Sequence, residues 1–169
     1  MSGNADIFGL HHNAYRCRDA EQTRQFYEGF LGLELAEAFE IATTQTGRDT
    51  RVLHVFFEMG DGSFLAFFEA PGQPFTFRDQ HDFDLHIALE VSMETLHAMF
   101  QKGKDAGIET RGIADHGFIH SIYFRDPNGY VIELTAKTDT RDAEEWDRVK
   151  SGARETLDKW TATKPADAA

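Results

Sequence analysis

The chain has 169 residues, of which 41% are hydrophobic and only four are proline, a composition typical of one globular domain. Acidic residues outnumber basic ones by 29 to 17, and the net charge of −12 disfavours binding to nucleic acid or to an anionic membrane surface. A single cysteine, Cys17, excludes an internal disulfide framework and fits a reducing compartment. Without a membrane-length apolar run or a signal-peptide pattern, we expect a cytoplasmic protein whose partner is a small molecule.

The first part of the chain is predicted to form one strand, one helix and three further strands. Residues Ile7–Cys17 have the pattern of a strand, and Asp19 is suited to cap a helix whose apolar side chains recur every three or four residues until Gly32. The next strands are expected at residues 33–43, 52–59 and 63–69, the last two joined by a turn at Gly60, Asp61 and Gly62.

The same order of elements then repeats along the second part of the chain. A strand at Leu85–Val91 is followed by a helix that Ser92 caps and Gly107 ends. Three more strands are expected after this helix. The repetition predicts an α+β fold made of two βαβββ modules, produced by an internal duplication.

Superposing the two halves pairs residues that carry chemistry. His12 falls on His86, and Glu69 falls on Glu133. The predicted boundaries are residues 7–70 for the first module, 71–82 for the linker, 83–136 for the second module and 1–137 for the domain that they form together.

Beyond residue 137 the chain becomes charged and carries an apolar stripe at helical spacing. The stripe consists of Trp146, Val149, Ala153, Leu157 and Trp160. We predict an amphipathic helix within residues 138–169, with a frayed end over Thr161–Ala169. Its apolar face is expected to dock on the domain or across a dimer, in preference to forming a substrate lid.

Three side chains are candidates for binding one divalent metal. His12 and His86 occupy corresponding places on the first strands of the modules, and Glu133 lies at the end of the last strand. If the modules pair, the three can converge, and two imidazoles with one carboxylate leave metal positions open for substrate or oxygen. Either histidine alone would be more simply a hydrogen-bonded strand residue. Their paired positions favour the metal site.

Three segments resemble the signature sequences of the vicinal oxygen chelate superfamily, which includes glyoxalases, extradiol dioxygenases and fosfomycin-resistance proteins. They are HHNAYRCRDAEQTRQFYEGFLGLEL, HIALEV and YFRDPNGYVIEL. The resemblance implies paired βαβββ modules whose curved mixed sheets enclose a metal in a cup. It also implies that the metal ligands are His12, His86 and Glu133.

The segment DHGFIHSIYFRDPNG resembles the sequence around the active site of extradiol dioxygenases. This resemblance implies an Fe(II)-dependent enzyme that cleaves the ring of a catechol-like aromatic with O2, with His116 as the acid–base histidine and Tyr123 as the active-site tyrosine. Strand alternation places His120 on the face opposite to Tyr123, so we rank His116 above it.

Two other functions stay open at this stage. If Glu69 is a fourth metal ligand, the site resembles that of glyoxalase-like lyases and isomerases, which use Ni(II) or Zn(II); Mn(II) is a further possibility. Glu69 can instead pair with an arginine at the rim of the cavity. A third hypothesis is a binding or resistance module that sequesters a small molecule. The modules can pair within one chain or across a dimer, and we expect a homodimer.

Several residues around the predicted cavity receive simpler interpretations. Phe56, Phe67 and Phe118 are expected to line an aromatic cavity, and His54 is expected to be a partly exposed strand residue. Arg16 can hold an anionic group of the substrate or pair with Glu69 or Glu90. Cys17 is expected to be an inert core residue.

Overall fold

A computed structural model describes residues 8–43, 47, 49–79, 81–138 and 142–163. The elements, in chain order, are β1 Tyr15–Cys17, α1 Ala20–Arg24 with a π-helical continuation Gln25–Phe30, β2 Glu34–Thr43, β3 Asp49–Glu58, β4 Phe64–Glu69, β5 His86–Glu90, α2 Met93–Asp105, β6 Thr110–Asp115, β7 Ile119–Arg125, β8 Val131–Lys137 and α3 Ala143–Thr163.

The strands form two four-stranded sheets with the same connectivity. One has the order β1-β4-β3-β2 and the other β5-β8-β7-β6. In each sheet the first strand is parallel to the last one, and the remaining pairs are antiparallel. The predicted α+β fold of two βαβββ modules is therefore confirmed.

Both module helices begin where the sequence predicts. The carboxylate of Asp19 accepts a hydrogen bond from the Gln22 amide at 2.7 Å, and the Ser92 hydroxyl accepts one from the Thr95 amide at 3.0 Å. Residues with positive φ end them, at Gly32 with 88° and Gly107 with 66°. The first helix widens to a π-helix in its second half, an irregularity that the spacing of its apolar residues did not predict.

The first strand is shorter than the pattern at Ile7–Cys17 suggested. Ile7 lies outside the described residues, and regular pairing starts only at Tyr15. His12 precedes β1 and makes a single parallel bridge with Phe64. The predicted ligand therefore lies on a short extended segment at the sheet edge, where fewer backbone hydrogen bonds hold it than within a continuous strand.

The two modules share one core on the helix side of their sheets. Tyr27 packs against Phe57 and Phe67, and Phe30 packs edge-on against Phe124 of the second module. The Tyr27 hydroxyl also donates to the buried carboxylate of Asp126 at 3.0 Å. The expectation that Phe67 lines the cavity was wrong, because strand alternation turns this side chain into the core, where it is fully buried.

The predicted C-terminal helix is present as α3, but it hardly packs on its own chain. None of its 21 residues is buried, and Trp160 is 63% exposed. Trp146 contacts Phe118 with ring centroids 6.0 Å apart. Thr161–Thr163, which were expected to be frayed, are helical, and residues 164–169 lie outside the described part. No described helix has the length and apolar character needed to cross a membrane.

Candidate metal centre

The second module brings two of the three predicted metal ligands together. The parallel pairing of β5 with β8 places Ala88 opposite Glu133, so that His86 and Glu133 lie on one face at neighbouring positions. His86 Nε2 is 3.4 Å from Glu133 Oε2. Glu133 is buried, whereas His86 is exposed on the open side of the sheet.

The orientation of His86 is set by the linker that precedes it. His86 Nδ1 lies 2.6 Å from the carbonyl oxygen of Asp82, which can only accept a hydrogen bond, so Nδ1 carries a proton. In a neutral imidazole, this leaves the lone pair of Nε2 directed towards the Glu133 carboxylate. A cation between two lone-pair donors stabilises this arrangement, and a backbone carbonyl behind a histidine is a common way to orient a metal ligand. The residues present therefore fit a divalent metal.

His116 and Tyr123, the two predicted catalytic residues, lie beside this pair. Tyr123 is directly opposite Glu133 in the β7–β8 ladder. His116 follows β6, and its Nε2 is 3.0 Å from Tyr123 Oη. His120 instead approaches Asp115, at 3.6 Å. The structure thus places His116, and not His120, next to Tyr123.

The environment of Tyr123 keeps its hydroxyl protonated near neutral pH. Burial and the nearby negative charge of Glu133 raise the pKa of Tyr123 above its usual value. The guanidinium of Arg111 lies 5.7 Å from the centre of the Tyr123 ring and pairs with the Asp82 carboxylate, with one contact at 2.7 Å. The sequence interpretation missed Asp82 and Arg111, because one is in the linker and the other 29 residues away.

The third predicted ligand, His12, lies on the sheet of the first module. Its Nδ1 is 2.8 Å from Nδ1 of His11, and its ring centroid is 6.3 Å from that of His54 and 5.5 Å from that of Phe56. Within the described ranges, no three histidine, cysteine or carboxylate side chains of one chain are grouped to hold a metal. His12 therefore does not meet His86 and Glu133 within the single chain.

Glu69 does not occupy the place in the first module that Glu133 occupies in the second. His12 pairs with Phe64, and His86 pairs with Val131. Counting two residues on from each partner makes Ala66 the counterpart of Glu133. The superposition of Glu69 on Glu133 was therefore wrong, because it aligned the two modules by the ends of their last strands. The two strands differ in length, counted from the residue that pairs with the histidine, so their ends are not equivalent positions.

The actual contacts of Glu69 lie at the start of α1. Its carboxylate accepts a hydrogen bond from the Ala20 amide at 2.7 Å. Arg16 pairs with neither Glu69 nor Glu90; its guanidinium donates to the carbonyl oxygens of Ala70 and Gln73, both at 3.0 Å. These contacts connect β1 to the linker.

We call the open surface of the first module the aromatic face, formed by Phe39, His54, Phe56, Phe64 and Phe68. His54 is only 5% exposed, so the expectation of a partly exposed residue was wrong. Its ring stacks on Phe68 with centroids 3.7 Å apart, and burial lowers its pKa. Phe56 lies on this face as predicted, whereas Phe118 contacts Trp146.

Cys17 lies on the opposite, helix side of the first sheet. The residue is buried, and burial raises the pKa of its thiol to about 11. The thiol therefore stays protonated at neutral pH, in agreement with the predicted inert role.

The sequence matches one family over most of its length. The family described as "Glyoxalase/Bleomycin resistance protein/Dioxygenase superfamily" matches residues 9–134, a range that includes both module histidines and Glu133. None of the curated proteins matches this chain.

Solved structures with the same fold include three bacterial proteins. A point mutant of the fosfomycin resistance protein FosX from Listeria monocytogenes, in complex with Mn(II) and 1S,2S-dihydroxypropylphosphonic acid, is 22% identical, with 79% of this chain and 95% of that chain covered and a TM-score of 0.59. A glyoxalase/dioxygenase from Nostoc punctiforme is 20% identical, with coverages of 82% and 97% and a TM-score of 0.61. A glyoxylase/bleomycin resistance protein/dioxygenase domain from Frankia sp. EAN1pec is 17% identical, with coverages of 80% and 96% and a TM-score of 0.65.

Proposed function

Because the chain belongs to the Glyoxalase/Bleomycin resistance protein/Dioxygenase superfamily, we propose that it is a metal-dependent enzyme acting on a small aromatic compound with two adjacent oxygens. The proposed reaction is extradiol-type cleavage of a catechol-like ring by O2. The contact of 3.0 Å between His116 Nε2 and Tyr123 Oη, in register with Glu133, supports this reaction best. Such a pair can hold and transfer a proton beside the proposed metal carboxylate.

The proposed metal ligands are His86 and Glu133 of one subunit and His12 of the partner subunit. His86 and Glu133 already face each other at 3.4 Å, whereas His12 is exposed on the other module. A second copy of the chain can bring its first module over this surface, because closed homodimers place equivalent patches in reciprocal contact. Exposed apolar side chains next to His86 support this contact with a second subunit, since Phe83 and Leu85 are 89% and 45% exposed.

We expect the metal to be Fe(II), which when bound supplies a Lewis acid for the two catechol oxygens and a redox centre for the reaction with O2. The chain itself fixes the direction of the ligands. Asp82 holds the His86 ring from behind, and the β8 backbone holds Glu133 in the ladder. Two imidazoles and one carboxylate leave positions for the two substrate oxygens and for O2.

The protein residues proposed to move protons are His116 and Tyr123. The raised pKa of Tyr123 keeps Oη protonated, and in the His116 tautomer that carries its proton on Nδ1 this hydroxyl can donate to the lone pair of Nε2. Nε2 has a single lone pair, so a catechol proton reaches it through Tyr123: Oη accepts the proton of the catechol hydroxyl as its own proton passes to Nε2, and Tyr123 stays neutral. His116 lies in an exposed loop and can later return the proton to product or solvent.

A glyoxalase-like reaction with four protein ligands has less support. The first-module counterpart of Glu133 is Ala66, whose methyl group cannot bind a metal, and Glu69 is hydrogen-bonded at the start of α1. A site with three protein ligands suits a reaction in which O2 and a chelating substrate bind together.

The test is an oxygen-uptake assay over a panel of catechols, with protein loaded anaerobically with Fe(II), Mn(II), Ni(II) or Zn(II) in turn. We expect uptake with Fe(II) and the loss of catechol absorbance at the same rate. His97→Phe, on the exposed face of α2, is a matched histidine control that should retain full activity. Absence of uptake with Fe(II) bound contradicts the proposal, and tight ligand binding by metal-free protein would favour sequestration instead.

A further inference from the structure

Asp82 can orient His86 only as firmly as Asp82 is itself held in place. Its backbone carbonyl oxygen lies 2.6 Å from Nδ1 of His86. Asp82 belongs to the linker, outside the helices and strands, so the hydrogen bonds of the sheet do not fix its position. A group that directs a metal ligand has to be immobilised by further contacts. The side chain of Asp82 shows where these contacts come from.

Arg111 holds the carboxylate of Asp82. Its Nη1 and Nη2 donate to the two oxygens of this carboxylate at 2.5 and 2.7 Å, and its Nε lies 3.3 Å from Oε1 of Glu109. A guanidinium that binds a carboxylate through two parallel hydrogen bonds fixes the direction of the contact as well as its length. Since all three nitrogens of Arg111 contact carboxylates, the side chain has little freedom to move.

The ion pair between Arg111 and Asp82 crosses the open side of the second sheet. Arg111 lies on β6 and Asp82 precedes β5, and these strands form the two edges of the sheet. Arg111 is directly opposite Tyr123 in the β6–β7 ladder, and its guanidinium lies over the Tyr123 ring, 5.7 Å from the ring centre. A cation in this position is attracted to the ring. Arg111 thus contacts both the residue behind His86 and the tyrosine beside His116.

Stability alone accounts poorly for this ion pair. The side chains of Arg111 and Asp82 are 41% and 38% exposed, and ion pairs with such exposure contribute little to the free energy of unfolding. The effect of the pair is local, because it fixes the one linker residue whose carbonyl oxygen accepts the Nδ1 proton of His86.

We infer that Arg111 is a positioning residue of the proposed metal site. By holding the carboxylate of Asp82, it keeps the Asp82 carbonyl behind Nδ1 of His86 and so directs Nε2 towards the metal. In this role Arg111 contacts neither the metal nor the substrate. The inference rests on the proposed function, which makes His86 a metal ligand. Metal affinity should therefore depend on the ion pair, although neither of its side chains binds the metal.

The test measures Zn(II) affinity by competition with a chromophoric chelator, in the wild type, Arg111→Met and Asp82→Ala. Both substitutions break the ion pair and keep the backbone carbonyl at position 82. Each should weaken Zn(II) binding about tenfold, the lower end of the range for losing a residue that orients a ligand. The double variant should bind no more weakly than either single variant, because both changes remove the same contact.

The sign of the effect separates positioning from a direct effect of charge. Loss of the positive charge of Arg111 would by itself strengthen the binding of a cation, whereas loss of the negative charge of Asp82 would weaken it. Positioning predicts weaker binding in both variants. Arg111→Lys keeps the charge without the two parallel hydrogen bonds, so it should also weaken binding, and it replaces Arg111→Met if that variant fails to fold.

Nuclear magnetic resonance of the metal-free protein reports the orientation of His86 directly. The hydrogen-bonded Nδ1 proton should give a resonance at low temperature, assigned by its absence in His86→Ala. Exchange with water should broaden this resonance in Arg111→Met. Arg24→Met is the matched control, because Arg24 also binds one carboxylate through two nitrogens, that of Glu21 at 2.7 and 2.8 Å, but on α1. It should change neither the Zn(II) affinity nor the resonance.

The outcomes separate this inference from the proposed function. Unchanged or tighter Zn(II) binding in Arg111→Met overturns the inference, whatever the oxygen uptake of the wild type. Weaker binding with the His86 resonance retained also overturns it, because the ring has then kept its orientation. Weaker binding with loss of the resonance supports it, even if no catechol supports oxygen uptake. If the wild type binds no Zn(II), the proposed function fails, and the resonance alone decides whether Arg111 orients His86.

Discussion

The two modules have the same strand order but present different chemistry on their open faces. The first module carries the aromatic face, with His12 at its edge. The second carries what we call the polar face, formed by His86, His116, Tyr123 and Glu133. At the position where the second module has a carboxylate, the first has Ala66. The duplicated fold thus provides one surface suited to hold an aromatic ring and one suited to act on it.

Neither face alone forms the complete site that we propose. Three residues of the proposed site are exposed to solvent in the single chain: His12 at the edge of the aromatic face, and His86 and His116 on the polar face. Within one chain, the two modules share a core on the helix side of their sheets. This core does not cover the opposite, open faces. A second copy that presents its aromatic face to the polar face would complete two equivalent sites.

The largest effect is expected from removing a ligand on either face. His86→Ala and His12→Ala should each abolish metal binding and activity, because two remaining ligands hold a divalent metal too weakly. Metal content per chain is measured after dialysis, and circular dichroism checks that the fold is retained.

Mixing these two inactive variants tests whether the faces come from different chains. In a mixed dimer, one site has His86 and Glu133 of the His12→Ala chain and the intact His12 of the other chain. Random exchange of subunits should therefore restore roughly one quarter of the wild-type metal content and activity. No recovery after verified exchange would place both faces of a site in one chain.

Tyr123→Phe should have the next largest effect and act on the polar face alone. The substitution removes the hydroxyl that orients His116 but leaves His86 and Glu133 in place. We expect turnover to fall about 100-fold, within the range for losing a group that assists proton transfer, with metal content unchanged. Parallel loss of metal would show that the hydroxyl supports the ligands instead. Tyr15→Phe makes the same chemical change beside the core and provides a control.

Ala66→Glu would make the faces more alike. Ala66 is fully buried, so the longer side chain has to displace its neighbours, and circular dichroism checks that the variant folds. The carboxylate mirrors Glu133 and would reach the metal only if the aromatic face closes over the polar face. We expect tighter metal binding and roughly tenfold lower oxygen uptake, because a fourth protein ligand occupies a position needed by the reactants. Glu69→Gln is the matched control and should change neither property, because Glu69 contacts the Ala20 amide.

Much of the fold could be predicted from the sequence because its signals are local. The caps at Asp19 and Ser92 depend on residues three positions away in the chain. The proximity of His86 to Glu133 and of His116 to Tyr123 could also be predicted from the sequence. Strand alternation and the family resemblance together placed these four residues on one face.

The features that escaped prediction depend on which strands meet and how they are aligned. Alternation cannot show that Glu69 lies beyond the counterpart of Glu133, because that requires the pairing of β4 with the residues around His12. The burial of His54 likewise depends on Phe39 and Phe68, which come from neighbouring strands. No periodicity reveals that Asp82, in the linker, orients His86.

The smallest effect is expected from substitutions in α3, which lies at the rim of the polar face, and it concerns dimerisation. Trp146 packs on Phe118, two residues after His116, so a subunit that covers the polar face would meet this helix. The double substitution Leu157→Ala with Trp160→Ala removes exposed apolar surface that such a contact would bury. We expect dimer dissociation to become about five- to tenfold easier, measured by sedimentation at several concentrations.

A control variant on the opposite side of α3 tests whether the effect on dimerisation is specific to the apolar stripe. Glu155→Ala changes an exposed residue outside the apolar stripe and should leave dimerisation unchanged. Since the proposed sites need residues of both subunits, weaker dimers should lose metal at low protein concentration and regain it at high concentration. If dimerisation is unchanged in the double variant, α3 takes no part in the contact between subunits. The aromatic face of one subunit must then contact the polar face of its partner through the sheets alone.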